Sequence, residues 1–149
     1  MSVSLPVVLL LSGPNLTLLG ERQPLIYGRE ALADHVATAT RAAEACGLVI
    51  EHHQSDAEAD LVRTVHAGRG RAAAVIVNSA GLTHYGWSLH DALAAFDGPV
   101  VEVHLSNPER REGWRRTSVI APVATGTIAG FGGLGYRLAV EAVSALLQA

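Results

Sequence analysis

The stretch PVVLLLSGPN, residues 6–15, sets five consecutive branched aliphatic residues directly before Ser12-Gly13-Pro14-Asn15. A strand with one wet face alternates apolar and polar residues. An unbroken apolar run bounded by turn formers instead suits a strand of a parallel sheet covered on both faces. The opening MSVSLPVVLLLSG carries no charged residue ahead of the apolar run, and that run is too short to span a bilayer. It reads as a buried first strand rather than a signal peptide.

Four further runs of this kind follow, at Leu48–His52, Ala73–Asn78, Val100–His104 and, shorter, Thr125–Ala129. Helical periodicity fills the intervals. Leu32, Val36, Ala39 and Ala43 mark one stripe ending at Gly47. Ala57, Leu61 and Val65 mark a second, with Ser55 and Glu58 at its start in the S-x-x-E spacing of a capping box. Leu89, Leu93 and Phe96 mark a third, closed by Asp97-Gly98, and Leu134, Leu138, Ala142 and Leu146 mark the last. Strand–helix alternation predicts an α/β architecture over 1–149, a single domain with a doubly wound five-stranded parallel sheet and helices on both faces.

The chain has 149 residues, 49% of them hydrophobic, which supports one core. A net charge of −3 marks neither a nucleic-acid footprint nor a polybasic membrane patch. No lysine occurs, which removes imine chemistry and the P-loop from consideration. The lone Cys46 forms no intramolecular disulfide, so a cytoplasmic protein is expected.

In doubly wound sheets, ligands bind beyond the carboxyl ends of the strands, near the reversal in strand order. The polar residues of this chain fall there. The first strand exits into Asn15, the third into Asn78 and His84, and the fourth into His104, Leu105, Ser106 and Asn107. Arg22 and Tyr27 sit five apart in the loop ERQPLIYG, where a guanidinium would favour the phenolate and turn the tyrosine into a base. Glu102 and His104 alternate onto one face of their strand, where the carboxylate would orient the imidazole as an acid. Taken singly, each has an ordinary alternative: a solvated loop for the first pair, a hydrogen-bonded strand end for the second.

Arg110, Arg111, Arg115 and Arg116 cluster about Trp114, either as a solvated face or as anion ligands. GFGGLG at 130–135 fits a dinucleotide fingerprint but has no strand after its helix, so it reads as close helix–sheet packing. His52 and His53 point to opposite faces, and no ligand set has metal spacing, so no metal is expected.

Taken together, SGPNL, ERQPLIYG, VNSAGLTH, VEVHLSN, REGWRR and ATGTIAGFGGLGY resemble, in order and spacing, the type II 3-dehydroquinate dehydratases. The resemblance implies a flavodoxin-like fold, a dodecamer built from trimers, no cofactor, and anti elimination of water from 3-dehydroquinate through an enolate. It implies Tyr27 as base, Arg22 as the cation sustaining it, and Asn15 as holder of the water at the enolate oxygen. It gives His104 the role of acid, supported by Glu102. Asn78, Leu105 and Ser106 match positions that hold the substrate carboxylate, and His84 and Arg115 those at the ring hydroxyls. Arg111 matches an arginine at the site edge, and Asp91 a residue contributed across a subunit interface. Ser12 stands where the family usually has Asn, and Tyr85-Gly86-Trp87 replaces Thr-Ser and a small apolar residue. A flavin-binding module without enzymatic activity, or a member acting on a related cyclic hydroxy acid, are the alternatives.

Overall fold

A computed structural model describes residues 3–149. Five parallel strands, β1 (Val7–Ser12), β2 (Val49–Gln54), β3 (Ala74–Asn78), β4 (Val100–His104) and β5 (Gly126–Ala129), stand in the order β2-β1-β3-β4-β5. The chain folds as the α/β doubly wound sheet that its apolar runs imply. β1 lies between β2 and β3, so both its edges are hydrogen-bonded and Val8 through Leu11 are fully buried.

Alternation along β1 assigns the two layers. Val8 and Leu10 pack with Ala39 and Ala43 of α2 (Leu32–Ala45) and with Tyr136 and Val140 of α5 (Leu134–Gln148). Leu9 and Leu11 pack on the other face with Leu61 and Val65 of α3 (Glu58–Gly68) and Leu89 and Leu93 of α4 (Trp87–Ala94). Burial of this kind is worth about 25 cal/mol per Å² of apolar surface, so the paired layers hold the sheet's C-terminal edge rigid beneath the loops. One short helix, α1 (Pro24–Tyr27), lies in the loop after β1.

Two local expectations are corrected. Ser55 and Glu58 form no capping box. The Ser55 N–H already donates to the Ser12 carbonyl (3.0 Å), while its Oγ accepts from the Ala57 N–H and donates to Asp60. The donor that a capping box needs is spent on β1. In α5 the buried face is Gly135, Tyr136, Ala139, Val140 and Val143, not the row from Leu134 to Leu146, whose two end leucines are exposed. Gly135 decides this rotation: a Cβ there would already lie 3.2 Å from Val103, and the close approach turns Tyr136 inward.

Gly13 is fixed by a tighter approach. A Cβ at this position would fall 2.4 Å from the Ser79 carbonyl oxygen, so only glycine lets the exits of β1 and β3 meet. The Gly13 N–H donates to the Asn78 carbonyl (2.8 Å) and locks them together.

Candidate active site

The exits of β1, β3 and β4 and the loop carrying α1 enclose a cavity of about 190 Å³. Asn15, Arg22, Tyr27, Asn78, His84, His104, Leu105, Ser106, Arg111 and Arg115 all line it. Of the residues singled out in the sequence, Glu102 lies behind the wall in contact with His104. Asp91 lies outside, on the exposed side of α4. Tyr85 and Trp87 are exposed and do not line the cavity, so the departure at 85–87 leaves its walls unaltered. Ser12 is buried, with its Oγ 2.9 Å from His52 Nε2, and ties β1 to β2.

Strained backbone concentrates here. Asn15 (φ 67°), Gln23 (φ 42°) and Ala80 (φ 52°) are the non-glycine residues with left-handed backbone among those described, and Asn15 and Ala80 line the cavity. Such conformations cost about 1–3 kcal/mol each and persist where surrounding structure imposes them.

Two guanidiniums flank Tyr27. The Arg22 and Arg111 guanidinium carbons lie 5.2 and 5.0 Å from the ring centroid. Arg111 Nη1 also donates to the Tyr27 hydroxyl oxygen (2.7 Å) and to Ser106 Oγ (3.2 Å). A donor of this kind strengthens when the oxygen carries negative charge. The sequence points to Arg22 for the sustaining role and sets Arg111 only at the site edge; the direct contact with the Tyr27 hydroxyl is made by Arg111.

His104, which lines the same cavity, has its Nε2 2.8 Å from Glu102 Oε2. Glu102 is fully buried, yet its carboxylate is surrounded by donors. Ser118 Oγ lies 2.9 Å from Oε2 and 3.1 Å from Oε1, Thr83 Oγ1 3.0 Å from Oε2, and Thr127 Oγ1 3.3 Å from Oε1. Burial pushes the carboxyl pKa up, but the His104 contact and charge, with the Ser118 and Thr83 hydroxyls, outweigh it and hold it below the usual value. With Nε2 turned to Glu102, Nδ1 is the nitrogen left to serve the cavity.

Thr83, Ser118 and Thr127 come from three separate segments; Thr83 and Thr127 lie within VNSAGLTH and ATGTIAGFGGLGY, but nothing in the local pattern of any of the three gives it a role beside Glu102. Tyr136 was missed as well. It is fully buried, its hydroxyl accepts from Asn78 Nδ2 (3.0 Å), and burial pushes its pKa up to about 12, so it stays a neutral prop. Asn78 Oδ1 accepts from the Ala80 N–H, which fixes the amide from both ends. The pair of His84 Nδ1 with the Thr117 carbonyl (2.7 Å) makes Nδ1 the donor, because a carbonyl can only accept. Arg115 stacks over Trp114 at 4.1 Å and pairs with Glu112. Among the described residues no cluster of His, Cys, Asp and Glu is arranged to hold a metal, and no helix is long and apolar enough to cross a membrane.

The model of the family described as dehydroquinase class II matches residues 6–144. The chain is 48% identical over 134 residues to 3-dehydroquinate dehydratase 2 of Pseudomonas aeruginosa, covering 90% of each chain. It is 50% identical over 141 residues to the 3-dehydroquinate dehydratase of Desulforudis audaxviator, covering 95% of this chain and 94% of that one. The crystal structure of the type II dehydroquinase from Butyrivibrio crossotus superimposes with a TM-score of 0.91 at 31% identity, over 95% of this chain and 99% of that one. The one from Propionibacterium acnes gives 0.90 at 37% identity, over 97% and 99%.

Proposed function

This chain belongs to the class II dehydroquinase family, and from that premise we propose that it converts 3-dehydroquinate to 3-dehydroshikimate and water. The Tyr27 phenolate takes the proton from carbon 2, and the electron pair moves to the carbon 3 carbonyl as an enolate. Asn15 holds the water that stabilises the enolate oxygen. The enolate then collapses, the carbon 1 hydroxyl departs with a proton from the His104 imidazolium, and the new double bond joins carbons 1 and 2. Asn78 and the Leu105–Ser106 turn hold the substrate carboxylate, while His84 and Arg115 meet the ring hydroxyls.

One observation carries this reading. A tyrosine bonded by a guanidinium and a histidine backed by a buried carboxylate line the same small cavity. Removing a proton beside a ketone needs a base, a stabiliser for the enolate and an acid for the leaving group, and the cavity has a candidate for each. Positioned acid or base groups contribute about 10²–10⁴-fold each, so loss of either ring should be close to fatal for turnover.

Asp91, with its side chain 86% exposed, is proposed to complete the cavity of a second copy in a trimer, four of which make a dodecamer. Cytoplasmic placement belongs to the same reading. Incubation with 3-dehydroquinate, followed by the ultraviolet absorbance of the conjugated product, tests the activity. Wild-type protein should turn over and Tyr27→Phe should not. An active Tyr27→Phe enzyme removes the base assignment, and an inactive wild type removes the substrate.

A further inference from the structure

Outside the Tyr27 wall lies a second, larger cavity of about 830 Å³, within the range of small-ligand sites. Tyr27, Leu105, Ser106 and Arg111 are common to both cavities and form the partition. Four arginines, Arg29, Arg110, Arg111 and Arg137, line the outer cavity against one carboxylate, Glu30. Among the described residues Arg29, Arg110 and Arg111 are in no ion pair; Arg137 has Glu141 at 3.6 Å on its own helix.

Two side chains that line this cavity carry buried nitrogens without a partner. His35, 1% exposed, stacks on Tyr136 at 5.1 Å, and neither of its ring nitrogens has a hydrogen-bond partner. Its Nδ1 comes within 3.3 Å of Glu30 Oε2 but out of hydrogen-bonding line, and Nε2 has nothing. Arg111 Nε is buried and equally without a partner, although Nη1 of the same group serves Tyr27. Leaving buried donors unmet is costly, and a ligand that accepts from them would offset that cost.

The segment Gly130–Gly133 closes the floor at the start of α5, a helix of 15 residues that no side chain caps. A Cβ on Gly133 would stand 2.8 Å from Glu30 Oε2 and 2.9 Å from the His35 ring, so glycine keeps that wall thin. Positive side chains, unmet donors and the positive end of a helix all converge on one volume.

We propose that the outer cavity is a second ligand site, distinct from the inner one, that takes a small polyanion of phosphate or polycarboxylate type. Guanidinium forks match both chemistries through paired, charge-assisted hydrogen bonds. Arg111 borders both cavities and its Nη1 holds Tyr27, so occupancy of the outer site bears directly on the proposed base.

Isothermal titration with pyrophosphate and, separately, citrate tests it on the intact protein. Three proteins are compared: wild type, Arg110→Glu/Arg137→Glu, whose residues line the outer cavity alone, and Arg115→Ala, which alters the inner cavity alone. Because binding rather than turnover is read, a failed dehydratase assay leaves the outcome intact. At least one probe should bind wild type more tightly than about 1 mM and weaken at least about tenfold in the double variant, with Arg115→Ala unchanged. No binding of either probe to wild type overturns the proposal. So does full binding in the double variant, and so does equal weakening by Arg115→Ala, which would place the anion in the inner cavity.

Discussion

Replacing Glu102 with Gln keeps the shape of the buried side chain and removes only its charge. His104 Nε2 lies 2.8 Å from Glu102 Oε2, which puts the two charge centres roughly 4 Å apart. At an effective dielectric of about 20, a unit pair at that distance is worth about 4 kcal/mol, or nearly three decades in rate. Part of this is recovered, because the Ser118, Thr83 and Thr127 hydroxyls can rotate to accept from the new amide. A loss of about a hundred- to a thousandfold in kcat/KM is therefore expected, read from the absorbance of the conjugated product.

A second readout separates charge from shape. The folded carboxyl titrates below its usual 4.5, so its contribution to stability is present above that pH and is lost as the pH falls through the lower folded value. Thermal melts between about pH 3 and about pH 6 should lose part of their slope in Glu102→Gln. Activity within about tenfold of wild type, together with an unchanged acid slope, would show that the carboxylate does not support the acid.

Arg111→Ala removes the donor on the Tyr27 hydroxyl and should cost about 1.5–3 kcal/mol, roughly ten- to a hundredfold in kcat/KM, with the melting temperature nearly unchanged; full activity would return the sustaining role to Arg22 alone. Burial holds His35 below its usual 6.5 against the opposing pull of Glu30 and Asp34, so its stabilising share is present above that pH and is lost as the pH falls. His35→Phe should accordingly flatten the decline in melting temperature between about pH 7 and about pH 5, and an unaltered slope refutes this. Gly13→Ala sets a methyl group 2.4 Å from the Ser79 carbonyl oxygen and should destabilise by about 1–3 kcal/mol in denaturant titration, whereas a neutral result would show that the two loops part easily.

The sheet was legible because β1, β3 and β4 are buried on both faces, a state that leaves continuous apolar runs in the sequence. Parallel geometry then carries their exits to one edge, which is why Asn15, Asn78 and His104 group together from the sequence alone. The face of α5 was legible only in part. Arg137, Glu141, Ser144 and Gln148 mark its polar side, but the row from Leu134 to Leu146 runs along the margin of the apolar side. The buried face is instead centred on Tyr136, Ala139, Val140 and Val143, with Gly135 meeting Val103 across the layer boundary. The hydroxyls around Glu102 were hidden for a similar reason. Thr83, Ser118 and Thr127 are ordinary in their own surroundings and gain meaning only where three separate segments converge.

That convergence has a consequence for the catalytic cycle. Despite burial, the His104 contact and the Ser118 and Thr83 hydroxyls hold the Glu102 carboxyl below its usual pKa, so it is a poor store for the proton that His104 spends. On the proposed chemistry, one turnover leaves the tyrosine protonated and the imidazole neutral, the reverse of the starting state. Recharging is then expected from the solvent side, past the loop that bears α1 and supplies Arg22 and Tyr27 to the cavity wall. Departure of product and return of the proton thus share one doorway, and slowing that loop, for instance with a viscous solvent, should delay both.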